Sequence, residues 1–363
     1  MAMAVAPVAA QSAEPVKLVE FVPWLVNNAG PAKAKGVVYF IRGWSGGLGL
    51  DEFHLAPYLM KTLADDGWDV IVAKYPYGQV VPRMRYASVP GAAEFVEQRV
   101  KDFKAQGYRL VVVGGQSFGS WVAMAADQDK GFGADALWLM VPNIYGPKTL
   151  AAGGNNPLFR HNYTDFVKLL PGLHTPSVLN TFAGDPYEPG GRAKLVAAHF
   201  ERDKVASLII DQPAAFVGHF AGWLPIYDYA YGGCIRAFFA KPSAAPCNPP
   251  PLSNADFRSV FGIGQVADAQ QKRVTSGDAL SGRSFVVYNL GLPDKQFHYL
   301  YQYKSATARD TMSPIALSHE TVAFRDGAQC VGTVCTTLIK WSDSQFLEFD
   351  AKSGNLVAWW IEK

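Results

Sequence analysis

The chain has 363 residues, 49% of them hydrophobic, enough to bury a large core in one big domain or two ordinary ones. Its 33 basic and 31 acidic residues nearly cancel and are intermixed, without the Lys/Arg cluster that tracks phosphates, which argues against a nucleic-acid partner. No apolar stretch reaches the roughly 18 residues of a membrane-spanning helix, so no integral membrane segment is expected.

Residues 1–15 are mostly Ala, Val, Met and Pro and read as a leader or the remnant of one. Val8-Ala9-Ala10-Gln11-Ser12-Ala13 resembles the small-residue end of a secretory signal peptide, although the usual positive start and apolar run are missing. The expected location is secreted or periplasmic.

Strand and helix then alternate. An initial strand is expected within Val16–Val26, a strongly buried one at Gly36–Ile41, a helix over Leu55–Asp66, a strand at Trp68–Ala73, a helix over Gly91–Gln106 and a strand at Tyr108–Val113. Further strands are expected at Ala136–Val141, Pro176–Phe182 and Val205–Ile210. Their apolar residues on both faces predict a mostly parallel sheet covered by helices on both sides. Pro142–Thr175 is longer than an ordinary connection and carries helical spacing near Tyr163–Leu170. It reads as a cap over the carboxyl ends of the strands or as a surface excursion.

After about Ala240 a proline-rich stretch, Lys241–Pro251, implies a stiff connector, here taken as residues 241–255. It divides a first domain, 16–240, from a second, 256–363. In the second, short runs of β-branched and aromatic residues separated by Gly, Asn and Asp predict a small antiparallel β-rich domain. Four cysteines fall in two local groups, and the preferred pairing is Cys234 with Cys247 and Cys330 with Cys335, against four unpaired thiols.

The segment Gly115-Gln116-Ser117-Phe118-Gly119 ends an apolar strand and opens a small-residue helix. Glycines at minus two and plus two remove Cβ atoms that would collide in a sharp corner, leaving Ser117 exposed as a nucleophile. A serine hydroxyl needs an imidazole to take its proton and a carboxylate to orient that imidazole. Asp185 follows the strand at Pro176–Phe182, and His219 lies in the loop after Val205–Ile210, so both point to the sheet edge of Ser117. Glu188 and Asp211 are the competing acids, and His199 is the main competing base. The backbone N–H groups of Trp44 and Phe118 are the expected oxyanion donors. Arg42, in the same early loop as Trp44, reads as structural support or as a contact to an anionic substrate.

Gly115-Gln116-Ser117-Phe118-Gly119, followed in order by Asp185 and His219 and preceded by Gly43-Trp44 after an early strand, resembles the α/β-hydrolase superfamily, in a serine-esterase-like form. The resemblance covers about Val16–Ala240. It implies a mostly parallel, eight-stranded α/β-hydrolase sheet flanked by helices, with Ser117, Asp185 and His219 as nucleophile, acid and general base. Arg42-Gly43 departs from the common His-Gly form, which weakens assignment to the main lipase groups. The implied activity is hydrolysis of a carboxylic ester, small or polymer-derived, with no cofactor and no metal; amide or peptide hydrolysis by the same triad is the enzymatic alternative. Phe159, Phe166, Leu169, Leu170, Phe216 and Trp223 read as an apolar substrate wall or as core. A non-enzymatic alternative, binding of carbohydrate or polymer, rests on Trp341, Trp359, Trp360 and the alternating Tyr299, Tyr301 and Tyr303, provided that these are exposed. Oligomeric state is not legible.

Overall fold

The computed structural model describes residues 17–23, 26–43, 56–75, 85–149, 154–213, 216, 218–243, 247–249, 272–289, 299–313, 316–352 and 356–362. Seven strands form one sheet: β1 (Val19–Phe21), β2 (Val37–Ile41), β3 (Asp69–Lys74), β4 (Val111–Gln116), β5 (Ala136–Met140), β6 (Ser177–Thr181) and β7 (Ser207–Asp211). Their order is β1-β3-β2-β4-β5-β6-β7. All neighbours are parallel except the edge strand β1, which runs antiparallel to β3. The described residues thus supply seven strands where the resemblance implies eight.

β2, β4, β5 and β6 are buried along their whole length. Side chains alternate across the sheet, so each strand feeds two cores. Val38, Phe40, Val112, Trp138 and Val178 pack on one face; Val37, Tyr39, Val113, Leu137 and Leu179 pack on the other. The second face is covered by α2 (Arg85–Ala105), α3 (Phe118–Ala126) and α5 (Arg192–Asp203), and the first by α1 (Leu59–Asp65) and the helix Gly233–Ala240. α2 begins before Gly91 and runs through Pro90, whose ring is exposed. A proline normally marks a helix boundary, which is why the sequence pattern places the start too late. Within 142–175, α4 (His161–Leu169) occupies the expected helical stretch and buries Phe166 in the second core.

The C-terminal strands are β8 (Ser284–Asn289), β9 (Tyr299–Ser305), β10 (Ala308–Ser313), β11 (Ala316–Arg325), β12 (Ala328–Val331), β13 (Val334–Lys340), β14 (Gln345–Asp350) and β15 (Leu356–Glu362). Each pairs antiparallel with its neighbours, and the set closes into a barrel, which removes the edges a small open sheet would leave unpaired. Its interior is filled by Phe285, Tyr301, Tyr303, Leu338, Phe346 and Trp360, all 1% exposed or less. Arg309 lies over the Tyr301 ring at 3.7 Å and pairs with Glu320, while Glu348 accepts from Gln329, Thr336 and Trp360. Such a satisfied polar layer fixes strand register at little desolvation loss. Tyr301, Tyr303, Trp359 and Trp360 are buried and Trp341 is half-buried, so these residues are not the exposed aromatic face that carbohydrate or polymer binding requires; the Tyr299 side chain lies outside the described residues. Outward-facing Ile339, Leu347 and Trp359 join the apolar cluster that contains Trp68 and Phe239 of the larger unit.

Both expected disulfides are formed, Cys234–Cys247 and Cys330–Cys335. The first ties the helix Gly233–Ala240 to the proline-rich stretch; the second bridges β12 and β13.

Candidate active site

Ser117 sits at the carboxyl end of β4, in the middle of the sheet, with φ 55° and ψ −117°. A non-glycine residue in that region is strained and persists only where its surroundings fix it. They do so here. The Ser117 N–H donates to the Met140 carbonyl at 2.9 Å, and the Ser117 carbonyl accepts from Asn143 N–H at 3.1 Å. Below it, the buried Ser120 hydroxyl donates to the Gly115 carbonyl at 2.6 Å and accepts from Met140 N–H at 2.9 Å. A Cβ on Gly115 would stand 2.3 Å from the Gly119 carbonyl carbon, and one on Gly119 would stand 1.9 Å from the Ile41 carbonyl oxygen. Both glycines are therefore steric requirements of the corner. Ser117 is half-buried between fully buried neighbours. Phe118 opens α3, so its N–H is among those a helix leaves without an intrahelical acceptor. Its ring packs on Tyr75, whose hydroxyl burial pushes far above the ordinary tyrosine range and so keeps protonated.

Asp185 follows β6 and His219 follows β7, and the His219 Nδ1 lies 2.8 Å from Asp185 Oδ2, both side chains being buried. The other carboxylate oxygen of Asp185 accepts from the Tyr187 N–H at 2.8 Å. A carboxylate on Nδ1 favours the tautomer with its proton there and leaves Nε2 basic. Gln116 ties the two halves together, its side-chain amide donating to the His219 carbonyl at 3.3 Å. A serine on a strained strand-to-helix corner of a parallel sheet, with an acid–histidine pair following in that chain order, is diagnostic of one architecture. The larger unit has the α/β-hydrolase fold.

Within this fold the competing residues take other places. Glu188 pairs with the fully buried Arg192, which also donates to the Pro142 carbonyl, so its carboxylate is committed away from His219. Asp211 accepts from the Thr181 hydroxyl at 2.5 Å. His199 lies in α5 beside the Leu173 carbonyl and Arg202, at the opposite, amino end of the strands. Arg42 is buried, with its guanidinium 5.8 Å from the Trp223 ring centroid. Trp44, the other expected oxyanion donor, lies outside the described residues. The expected apolar wall is not one surface: Phe166 and Leu170 belong to one core and Phe216 and Trp223 to the core across the sheet. Sequence reasoning missed Gln116, Ser120, Tyr187 and Arg192. Only Gln116 carries a signal, its place inside the Gly-x-Ser-x-Gly pattern. Among the described residues, no group of three or more His, Cys, Asp or Glu side chains converges as a metal site would.

No protein-family model and no curated protein matches the chain. Solved structures resemble it in part. A puromycin-hydrolyzing peptidase from Mycobacterium tuberculosis is 17% identical, with a TM-score of 0.44 over 65% of this chain and 39% of its own. An acylaminoacyl peptidase from Pyrococcus horikoshii is 13% identical, with a TM-score of 0.43 over 66% of this chain and 44% of its own. A monoacylglycerol lipase from Paleococcus ferrophilus is 13% identical, with a TM-score of 0.42 over 62% of this chain and 100% of its own. The chain thus spans less than half the length of either peptidase. The fold assignment rests on strand order and the Ser117 corner.

Proposed function

We propose that the chain is a serine hydrolase that cleaves a carboxylic ester through an acyl-enzyme. The observation that carries this reading is the buried His219–Asp185 pair on the sheet edge that also bears the strained Ser117 corner. His219 Nε2 takes the Ser117 proton as Oγ attacks the ester carbonyl, and Asp185 steadies the imidazolium. The backbone N–H groups of Phe118 and Trp44 receive the oxyanion. The imidazolium then protonates the departing alcohol, and a water activated by the same nitrogen releases the acid and restores Ser117. The reaction needs no metal.

Two disulfides and a leader-like N-terminal segment support a secreted or periplasmic location. No helix among the described residues is long and apolar enough to cross a membrane. The experiment is turnover of nitrophenyl esters of graded acyl length, beside thioesters and peptide amides, by the wild-type chain and a folded Ser117→Ala variant. Ester turnover lost in the variant is the expected result; full activity in Ser117→Ala contradicts it, and turnover of amides alone replaces the ester by a peptide bond.

A further inference from the structure

A single hydrogen bond to Asp185 leaves the His219 ring free to tilt about that contact, yet a general base works only when its free nitrogen stays aimed at the nucleophile. Two aromatic rings restrict the tilt. The Tyr187 ring centroid is 4.4 Å from that of His219, with planes at 44°, and the Phe220 centroid is 5.1 Å away, nearly perpendicular at 81°. Tyr187 acts twice, since its backbone N–H holds one oxygen of Asp185 while its ring packs on the imidazole held by the other. The contacts continue from Phe220 to Trp223 at 5.7 Å and from Trp223 to the Arg42 guanidinium at 5.8 Å. Arg42 leads directly into Gly43, where an added Cβ would meet Gln116 Oε1 at 2.5 Å and Ser117 Cβ at 3.2 Å. One continuous ladder, Tyr187–His219–Phe220–Trp223–Arg42, thus runs from the acid loop through the base to the loop beside the nucleophile.

We propose that Tyr187 and Phe220 are positioning residues that hold the His219 imidazole in its working orientation, with Trp223 packed edge-on against Phe220 and in turn against Arg42. The proposal rests on His219 being the general base. In this role Tyr187 acts through its ring, and aromatic contacts of this kind favour defined geometries over simple burial. Tyr187 is half-buried, so leucine fits its place without emptying a core.

The test is inactivation by a fluorophosphonate, followed by intact mass, with the maximal inactivation rate separated from the probe's binding constant. It uses the full chain as wild type and as Tyr187→Phe, Tyr187→Leu, Phe220→Leu and His219→Ala, each checked for fold by near-ultraviolet circular dichroism. Tyr187→Leu is expected to lower the maximal rate about tenfold with probe binding changed less than about twofold, and Phe220→Leu to do the same. Tyr187→Phe restores the wild-type rate. An unchanged rate in both leucine variants overturns the proposal, as does a Tyr187→Phe variant as slow as Tyr187→Leu. His219→Ala reacting at the wild-type rate overturns the base assignment itself, a separate result from either.

Discussion

The side-chain amide of Gln116 donates to the backbone carbonyl of His219 at 3.3 Å, so the residue before the candidate nucleophile anchors the loop of the candidate base across 103 positions of chain. Gln116 is 2% exposed, and a glutamine at this place reaches from the end of β4 to the loop after β7, two segments whose own sequences carry no information about each other. Gln116→Leu keeps the size and removes the donor. It is expected to reduce fluorophosphonate reactivity about tenfold with thermal stability lowered by about 1 kcal/mol, since one buried carbonyl loses its partner. Reaction progress and a melting curve on the same variant check both.

The two acids in the 185–190 loop separate activity from stability. Asp185→Asn removes the carboxylate from His219 and is expected to lower ester turnover by about three orders of magnitude or more while the chain stays folded. Glu188→Gln leaves that pair intact but strands the fully buried Arg192, and is expected to cost about 3–5 kcal/mol of stability. Turnover per folded molecule changes little. Urea unfolding and active-site titration on both variants distinguish these outcomes.

The corner glycines make a steric prediction. Gly119→Ala drives a Cβ to 1.9 Å from a backbone oxygen that cannot move without displacing β2, so the variant is expected to lose the native fold or several kcal/mol of stability. Gly154→Ala, with nothing within 4 Å of the added carbon, is the control and is expected to melt with the wild type.

The two disulfides differ in the loops they close, with sequence separations of 13 and 5. On loop-closure entropy alone, replacing Cys234 and Cys247 together by serine should cost about 3 kcal/mol, and replacing Cys330 and Cys335 about 2 kcal/mol. Denaturant midpoints of the two double variants give the order.

Burial of Asp127 adds a dependence on pH. Its carboxylate is 1% exposed and accepts from the Thr175 hydroxyl and from the backbone of His174 and Thr175. Burial outweighs these bonds and holds its pKa above the ordinary aspartate value. Between the unfolded and the raised folded value the native state keeps a proton that the unfolded chain has lost. This contribution to stability is therefore complete below the unfolded value and lost as pH rises through the folded one. Relative to Asp127→Asn, wild-type stability is expected to fall as pH rises across the acid range, measured by urea unfolding at several pH values.

The sheet was legible because β2, β5 and the first half of β4 are apolar on both faces, a pattern that parallel strands buried on both sides produce. The shared sheet edge of Ser117, Asp185 and His219 was legible because each follows a strand of this sheet, and Asp185 and His219 lie within hydrogen-bond distance of each other; their joint action as a triad is the proposal made above. The rest was hidden for physical reasons. Arg192 reaches the Pro142 carbonyl and Glu188 through tertiary packing, and an arginine at a helix start has no local mark of that role. Tyr187 reads as an ordinary loop aromatic until folding brings it to His219, and Phe220, although next to His219 in the chain, carries no local mark that its ring packs on the imidazole. Barrel closure was equally invisible, because the β8–β15 pairing joins the first and last strands of the C-terminal unit, whereas local pattern reports only neighbouring hairpins.

The most direct test of the central claim is intact-mass labelling by a fluorophosphonate of the wild-type chain beside folded Ser117→Ala and His219→Ala variants. A single adduct on the wild type, absent from Ser117→Ala and strongly suppressed in His219→Ala, is the predicted result. An adduct that persists at full rate in Ser117→Ala, or a wild-type chain that never reacts although the probe reaches the site, contradicts it.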